Sequence, residues 1–184
     1  MGSAALTSLI DALLSTHTPA DESEADSLRR IRQLVASASE PFSRQNFVPG
    51  HLTASAIVVN PQRTQTLLIL HAKLKMWLQP GGHFEPGEHD PSVAAAREVH
   101  EETGLLALWP GDKPLLLDVD VHTIPARKNE PQHCHFDLRM LLVADGQPTA
   151  GEVTAVKWVR PDEFESMKLD PGLQRALKKI RFSA

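Results

Sequence analysis

Three glutamates, Glu98, Glu101 and Glu102, stand at i, i+3 and i+4 in the run Arg97-Glu-Val-His-Glu-Glu-Thr-Gly-Leu105. On a helix they share one face, where unpaired carboxylates repel one another. A hard divalent cation relieves that repulsion, because Mg2+ and Mn2+ prefer oxygen ligands. Upstream, the Gly81-Gly82 pair lets backbone carbonyls approach the same ion with no side chain in the way. An arbitrary Glu-x-x-Glu-Glu is usually a solvated acidic face. Here a glycine turn, the outlying Glu88, Arg97 and a terminating Thr103-Gly104-Leu105 accompany it in order.

That order resembles the Nudix box, Gly-x5-Glu-x7-Arg-Glu-U-x-Glu-Glu-x-Gly-U, with U aliphatic. Gly82 and Glu88 open it, Arg97-Glu98-Val99 follow, and Glu101-Glu102 and Gly104-Leu105 close it. One departure exists: eight residues, His89 to Ala96, separate Glu88 from Arg97 where the pattern has seven. The extra residue falls near His89-Asp90, ahead of the helix, so the loop absorbs it and the glutamates stay in register. The likeness extends more loosely from Leu52 to about Phe164, and residues 1–48 lie outside it.

The resemblance implies an α/β fold, a Nudix-like α/β/α sandwich around a mixed sheet, on residues 49–184. It implies a metal-dependent pyrophosphohydrolase that cleaves a nucleoside diphosphate linked to another moiety. Glu98, Glu101 and Glu102 would then ligate Mg2+ or Mn2+ with the Gly82 carbonyl, and Arg97 would orient the cluster and pair with Glu88. Two groups are candidates for general base: Glu101, already in the cluster, and Glu152, in a loop just before a strand. Two other activities fit less of the sequence. An isoprenoid-diphosphate isomerase needs a thiol, and Cys134 is the one thiol available. A non-catalytic nucleotide-binding module would not need all three glutamates. No tyrosine occurs anywhere in the chain, so the tyrosine mark of dinucleoside polyphosphate cleavage is absent.

A second constellation alternates. Leu117, Val119 and Val121 are set against Asp118, Asp120 and His122, and Cys134, Phe136, Leu138 and Met140 against His133, His135, Asp137 and Arg139. Period-two patterning makes these two strands, joined by residues 123–132, each with one ionisable face. Such a face is either solvated or the wall of a cleft. As a cleft wall it offers Arg139 for bidentate phosphate binding, with His135 and Asp137 beside it. Lys73, Arg127 and Lys128 are further candidates for phosphate. His122, His133 and His135 also suggest a zinc site, which lacks an accompanying Cys/His spacing motif. Trp77 is a candidate either to stack on a base or to brace the glycine turn.

Local signals place the supporting elements. The acidic segment reads as a helix from Pro91 to Glu102, with Asp90 as cap, Pro91 in the first turn and Gly104 as terminator. Residues 52–59 and 67–71 read as strands around an Asn60-Pro61-Gln62 turn, 153–159 as a further strand, and 171–180 as a closing helix capped by Asp170. Ahead of them, Leu6, Leu9, Ile10, Leu13 and Leu14, then Leu28, Ile31, Leu34 and Val35, recur at helical spacing. Asp21 or Ser23 caps the second of these helices. The pair reads as a helical extension over residues 1–48 that covers one face of the core, or serves dimerisation or substrate access.

Bulk properties bound the rest. The chain has 184 residues, 41% hydrophobic and 23% charged, enough to bury a core without disulfides. Net charge is −4 with no extended basic stretch, which argues against sequence-independent binding to nucleic acid. A lone cysteine, no secretory signal pattern and no apolar span of membrane length point to a cytoplasmic protein. The expected partner is a small-molecule nucleotide or other diphosphate, and a homodimer is compatible with the sequence.

Overall fold

The computed structural model describes residues 3–183, and side chains from residue 9 onward, so the Leu6 side chain lies outside the described residues. Helix α1 (Ser3–Thr16) is followed by α2 (Glu22–Ser37), whose N-cap is Asp21: its carboxylate accepts the Glu24 amide at 2.8 Å. Ile10 and Leu14 of α1 and Leu28, Ile31 and Leu34 of α2 are all buried, as their spacing requires.

The strands are β1 (Gly50–Val59), β2 (Thr66–Leu70), β3 (Trp77–Leu78), β4 (Gly81–His83), β5 (Ala107–Leu108), β6 (Leu116–Ile124), β7 (His133–Ala144) and β8 (Ala155–Val159). Strand β1 is central. It runs antiparallel to β2 and β4 and parallel to β7, with Gly50 opposite Cys134 and Val59 opposite Val143. Strands β5 and β6 pair antiparallel with β7, and β3 and β8 with β2. Every residue of β1 is buried, which explains why its C-terminal half reads as a continuous apolar run.

Helix α3 (Pro91–Thr103) lies in the long connection between the parallel strands, and α4 (Pro171–Lys178) follows a 3-10 turn over Pro161–Met167. Its caps match expectation: Asp90 accepts the Ser92 amide, and Gly104 takes a left-handed φ of 69°. The two faces of the sheet have separate cores. Leu52, Ala54, Ala56 and Val58 of β1 join Phe136, Leu138, Met140 and Leu142 of β7 beneath α1, α2 and α3. Ile57, Leu68 and Val159 meet Leu173, Ala176 and Leu177 of α4 on the other side. The architecture is therefore an α/β/α sandwich around a mixed sheet, with the two N-terminal helices sharing its main core.

One alternation departs from the expected pattern. Leu117 does not share a side with Val119; it packs into the α4 core, while Leu116 takes the buried position on the main side. A register irregularity between Leu116 and Asp118 is the cause, since a bulge inserts one residue and reverses which side chains face each layer. The strand expected at 153–159 begins at Ala155, after a bend over Val153-Thr154. Among the described residues, no helix is long and apolar enough to cross a membrane.

Candidate active site

The box helix α3 lies against β4. Glu102 Oε2 accepts the Gly81 amide at 3.1 Å, and a Cβ placed on Gly82 would sit 2.5 Å from Glu98 Oε1. Only glycine admits this approach, so the two glycines fix the distance between strand and carboxylates. Arg97 organises the other side. One terminal nitrogen donates to Glu98 at 3.0 Å and Glu101 at 2.9 Å; the other donates to Glu88 at 3.0 Å and the His83 carbonyl at 2.8 Å. The Glu88–Arg97 pair therefore forms despite the additional loop residue.

Electrostatics in this corner are strained. Burial pushes Glu102 up to about 7; the Gly81 amide opposes the shift, and the charges of Glu98, Glu152 and Glu101 add to it. Burial also raises Glu98, against the pull of Arg97. Arg97 is held above its ordinary pKa: burial works the other way, but the Glu88 and Glu98 carboxylates outweigh it. An all-oxygen donor set whose carboxylates are disfavoured by burial and by one another suits a hard divalent cation, whose charge would remove the conflict. Glu152 lies on an exposed bend whose Gly151 amide is bonded to the Glu102 carbonyl at 3.0 Å. The loop is thereby anchored to the end of α3.

Gly81 and Gly82 also line a cleft of about 620 Å3 across the sheet, together with Lys73, His83, Arg127, His135, Asp137 and Arg139. The four substrate-contact candidates, Lys73, His135, Asp137 and Arg139, thus come together beside the acidic helix. Strand register explains how. His51, Thr53 and Ser55 of β1 are level with His135, Asp137 and Arg139 of β7, which are level with His122, Asp120 and Asp118 of β6. Strand β4 adds His83 beside Thr53 and Gly81 beside Ser55. The result is three polar rows running across β1, β7 and β6, the middle one extended by His83 of β4.

The deeper rows are saturated internally. Arg139, only 2% exposed, is bonded to Asp118, Asp120 and Asp137 at 3.2–3.3 Å, so its guanidinium is engaged before any phosphate arrives. Asp137 accepts from Thr53 at 3.1 Å and Ser55 at 2.7 Å. Arg175 of α4 and Lys179 bind Asp118 from below, both at 2.9 Å. Asp120 is held far below the usual carboxylate range; burial opposes this, and His122, Arg139 and Arg175 prevail. The face is therefore neither solvated nor apolar. Its inner end is an ion network and its outer end, toward the histidines, is the cleft.

Sequence reasoning missed His51, Thr53, Ser55, His83 and Gln79. The signal was present for three of them, since His51, Thr53 and Ser55 recur with period two inside an apolar strand. Gln79 spans Ser55 and Asp137, 3.4 Å from each, and nothing local marks it. Trp77 packs on the α4 core with the Lys157 ammonium 5.1 Å from its ring, outside the cleft lining. Cys134 packs toward the main core, 3.5 Å from Arg30.

The chain has relatives among known proteins. A protein of Lactococcus lactis subsp. cremoris named "Probable DHNTP pyrophosphohydrolase" is 36% identical over 124 residues, 66% of this chain and 71% of its own. A Bacillus subtilis protein named as a candidate 8-oxo-dGTP diphosphatase is 36% identical over 110 residues, 59% of this chain and 65% of its own. The crystal structure of a NUDIX-family hydrolase from Clostridium perfringens superposes with a TM-score of 0.53 at 27% identity, covering 70% of this chain and 95% of that one. The NUDIX domain model matches residues 49–180. With box, cleft and sheet in agreement with that match, the chain belongs to the Nudix family of pyrophosphohydrolases.

Proposed function

We propose that this chain hydrolyses, with Mg2+ or Mn2+, a nucleoside or nucleoside-like diphosphate whose far end carries a further moiety, most simply another phosphate. The observation that carries this is the convergence of Glu98 and Glu102 on the two glycines that border the cleft. The names of the two relatives, a DHNTP pyrophosphohydrolase and an 8-oxo-dGTP diphosphatase, favour a polyphosphate substrate. In this reading residues 49–184 form the catalytic unit, and residues 1–48 are an N-terminal extension whose helices α1 and α2 pack into its core through Ile10, Leu14, Leu28, Ile31 and Leu34.

Glu98, Glu101 and Glu102 would hold the cation with the Gly82 carbonyl. When bound, it neutralises diphosphate charge and makes a nearby water a better nucleophile. The protein's share is positioning and electrostatics. Arg97 keeps Glu98 and Glu101 pointed inward, and the Gly81 amide does the same for Glu102. Lys73 and Arg127 supply positive charge at the cleft for the leaving phosphates, and His135 borders the substrate. Asp137 and Arg139, bound up in the ion network, hold that wall rather than contact phosphate. Glu101 or Glu152 takes the proton from the attacking water.

The test is product analysis on a panel of nucleoside triphosphates, oxidised nucleoside triphosphates, nucleoside diphosphate sugars and dinucleotides with Mg2+. Cleavage to a nucleoside monophosphate and pyrophosphate is expected for a triphosphate. Glu102→Gln should lose at least about 100-fold, beyond what loss of an outer-shell partner costs. Full metal-dependent turnover by that variant would overturn the reading.

A further inference from the structure

At the outer end of the polar rows, five histidines gather: His51, His83, His122, His133 and His135. The His51 ring lies 5.1 Å from His83, 5.1 Å from His133 and 4.9 Å from His135, centroid to centroid. Three of them, His51, His133 and His135, offer ring nitrogens within 4.8 Å of one another. Their placement follows from the sheet. His51 and His135 are register partners on the parallel strands, and His133 precedes His135 by two residues on the same face.

Hydrogen bonding fixes which nitrogen is available. His51 Nδ1 is 3.0 Å from the Asn46 carbonyl, and His133 Nδ1 is 2.8 Å from the Pro131 carbonyl. A carbonyl only accepts, so in the neutral imidazoles both Nδ1 atoms carry the proton and Nε2 is left with the lone pair. His51 is 1% exposed, and its Nε2 is buried with no hydrogen-bond partner among the described residues. A buried lone pair without a donor is costly. His51 and His133 are thus oriented by backbone carbonyls, as the second nitrogen of a histidine metal ligand commonly is. Phe47, 5.0 Å from the His133 ring, supplies an apolar wall.

We propose that His51, His133 and His135 bind a borderline transition-metal ion, Zn2+ by preference, at a site separate from the carboxylates of α3. Imidazole nitrogens suit zinc and not magnesium, so the two sites select different ions. Ligands about 2.1 Å from a tetrahedral zinc stand roughly 3.4 Å apart, so closure takes side-chain rotation of little more than an ångström. Three histidines leave a fourth position, and His135 borders the cleft. That position would take an oxygen of solvent or substrate. His122, which the sequence grouped with His133 and His135, is instead bonded to Asp120 at 3.1 Å, and His51 takes its place as the third ring.

The experiment uses the full-length chain without a histidine tag, in excess Mg2+. Cobalt titration, read by the visible bands of low-coordinate Co2+, is followed by competition with Zn2+ and by metal counting after dialysis. One equivalent per chain is expected, unchanged in a Glu98→Gln/Glu102→Gln double variant. Affinity should fall by more than about 100-fold in His135→Ala and in His51→Gln. His135 is only partly buried, so its variant should fold, and the Mg2+-induced thermal shift of each histidine variant checks that it has; circular dichroism does so for the glutamate variant. Cobalt binding that survives in the histidine variants but is lost in the glutamate variant would overturn the proposal. So would the absence of a stoichiometric equivalent, or histidine-dependent binding of inorganic phosphate with no metal bound.

Discussion

At the residue scale, three side chains separate chemistry from scaffolding. Glu101 is bonded to Arg97, while Glu152 stands on an exposed bend with no side-chain partner among the described residues, so they differ in how firmly they are positioned. Removing a positioned base costs ~10²–10⁴-fold in rate. Glu101→Gln and Glu152→Gln should therefore differ, with the larger loss of kcat at Mg2+ saturation identifying the base. Arg139 makes the opposite case. Its three carboxylate partners would be left unbalanced in a buried setting, so Arg139→Leu should lose about 3–5 kcal/mol of stability by denaturant unfolding. A selective rise in KM with unchanged stability would instead restore it as a phosphate ligand.

At the element scale, the approach of β4 to α3 is the most sensitive contact. Gly82→Ala puts a methyl group 2.5 Å from the Glu98 carboxylate, which must move. Displacement of a reacting group by about an ångström costs ~100-fold in rate. We expect a loss of that order in kcat with little change in circular dichroism or melting temperature. Elements whose signals are local were legible in the sequence. Asp90, Pro91 and Gly104 bracket α3 to within a residue, and the alternation over Asp118–His122 and His133–Arg139 marks a hairpin. The glutamates of the box needed only helical spacing. Non-local facts were not legible. The partnership of His51 with His135 depends on a parallel pairing across 84 residues, which no local pattern encodes. The bulge at Leu116–Asp118 has no sequence mark either, so Leu117 was assigned to the wrong layer. Arg139 read as a free cation because the Asp118 and Asp120 carboxylates of β6 reach it only through the pairing of β6 with β7.

At the scale of the molecule, the N-terminal helices are tied to the catalytic unit by charge as well as by packing. Glu24 of α2 is fully buried, bonded to His17 at 2.7 Å, to the Ala20 amide at 2.6 Å and to Lys179 beyond α4. Burial alone would raise its pKa; the Ala20 amide, Lys179 and His17 outweigh it and hold the group at about 2. Because the folded pKa lies below that of an unfolded glutamate, near 4.3, the contribution is complete above pH 4.3 and disappears as pH falls to 2. It is on the order of 3 kcal/mol. Glu24→Gln should flatten the acid limb of a stability–pH profile in that window, and an unchanged limb would show that the ion pairs carry no such linkage.

The parallel pairing of β1 with β7 also sets an order of events in time. Strand β1, the central ribbon of the sheet, finds its longest neighbour only after residues 133–144 have been made. Contacts so distant in sequence close slowly, since a large loop must be ordered before they form. A growing chain can therefore wind the acidic helix and pair β1 with β2 while the far wall of the cleft does not yet exist. Until synthesis passes residue 144, the apolar faces of α1 and α2 have no finished sheet to cover. In that interval the nascent protein is most exposed to aggregation, and the histidine and arginine rows enter the fold late, ahead only of β8 and α4.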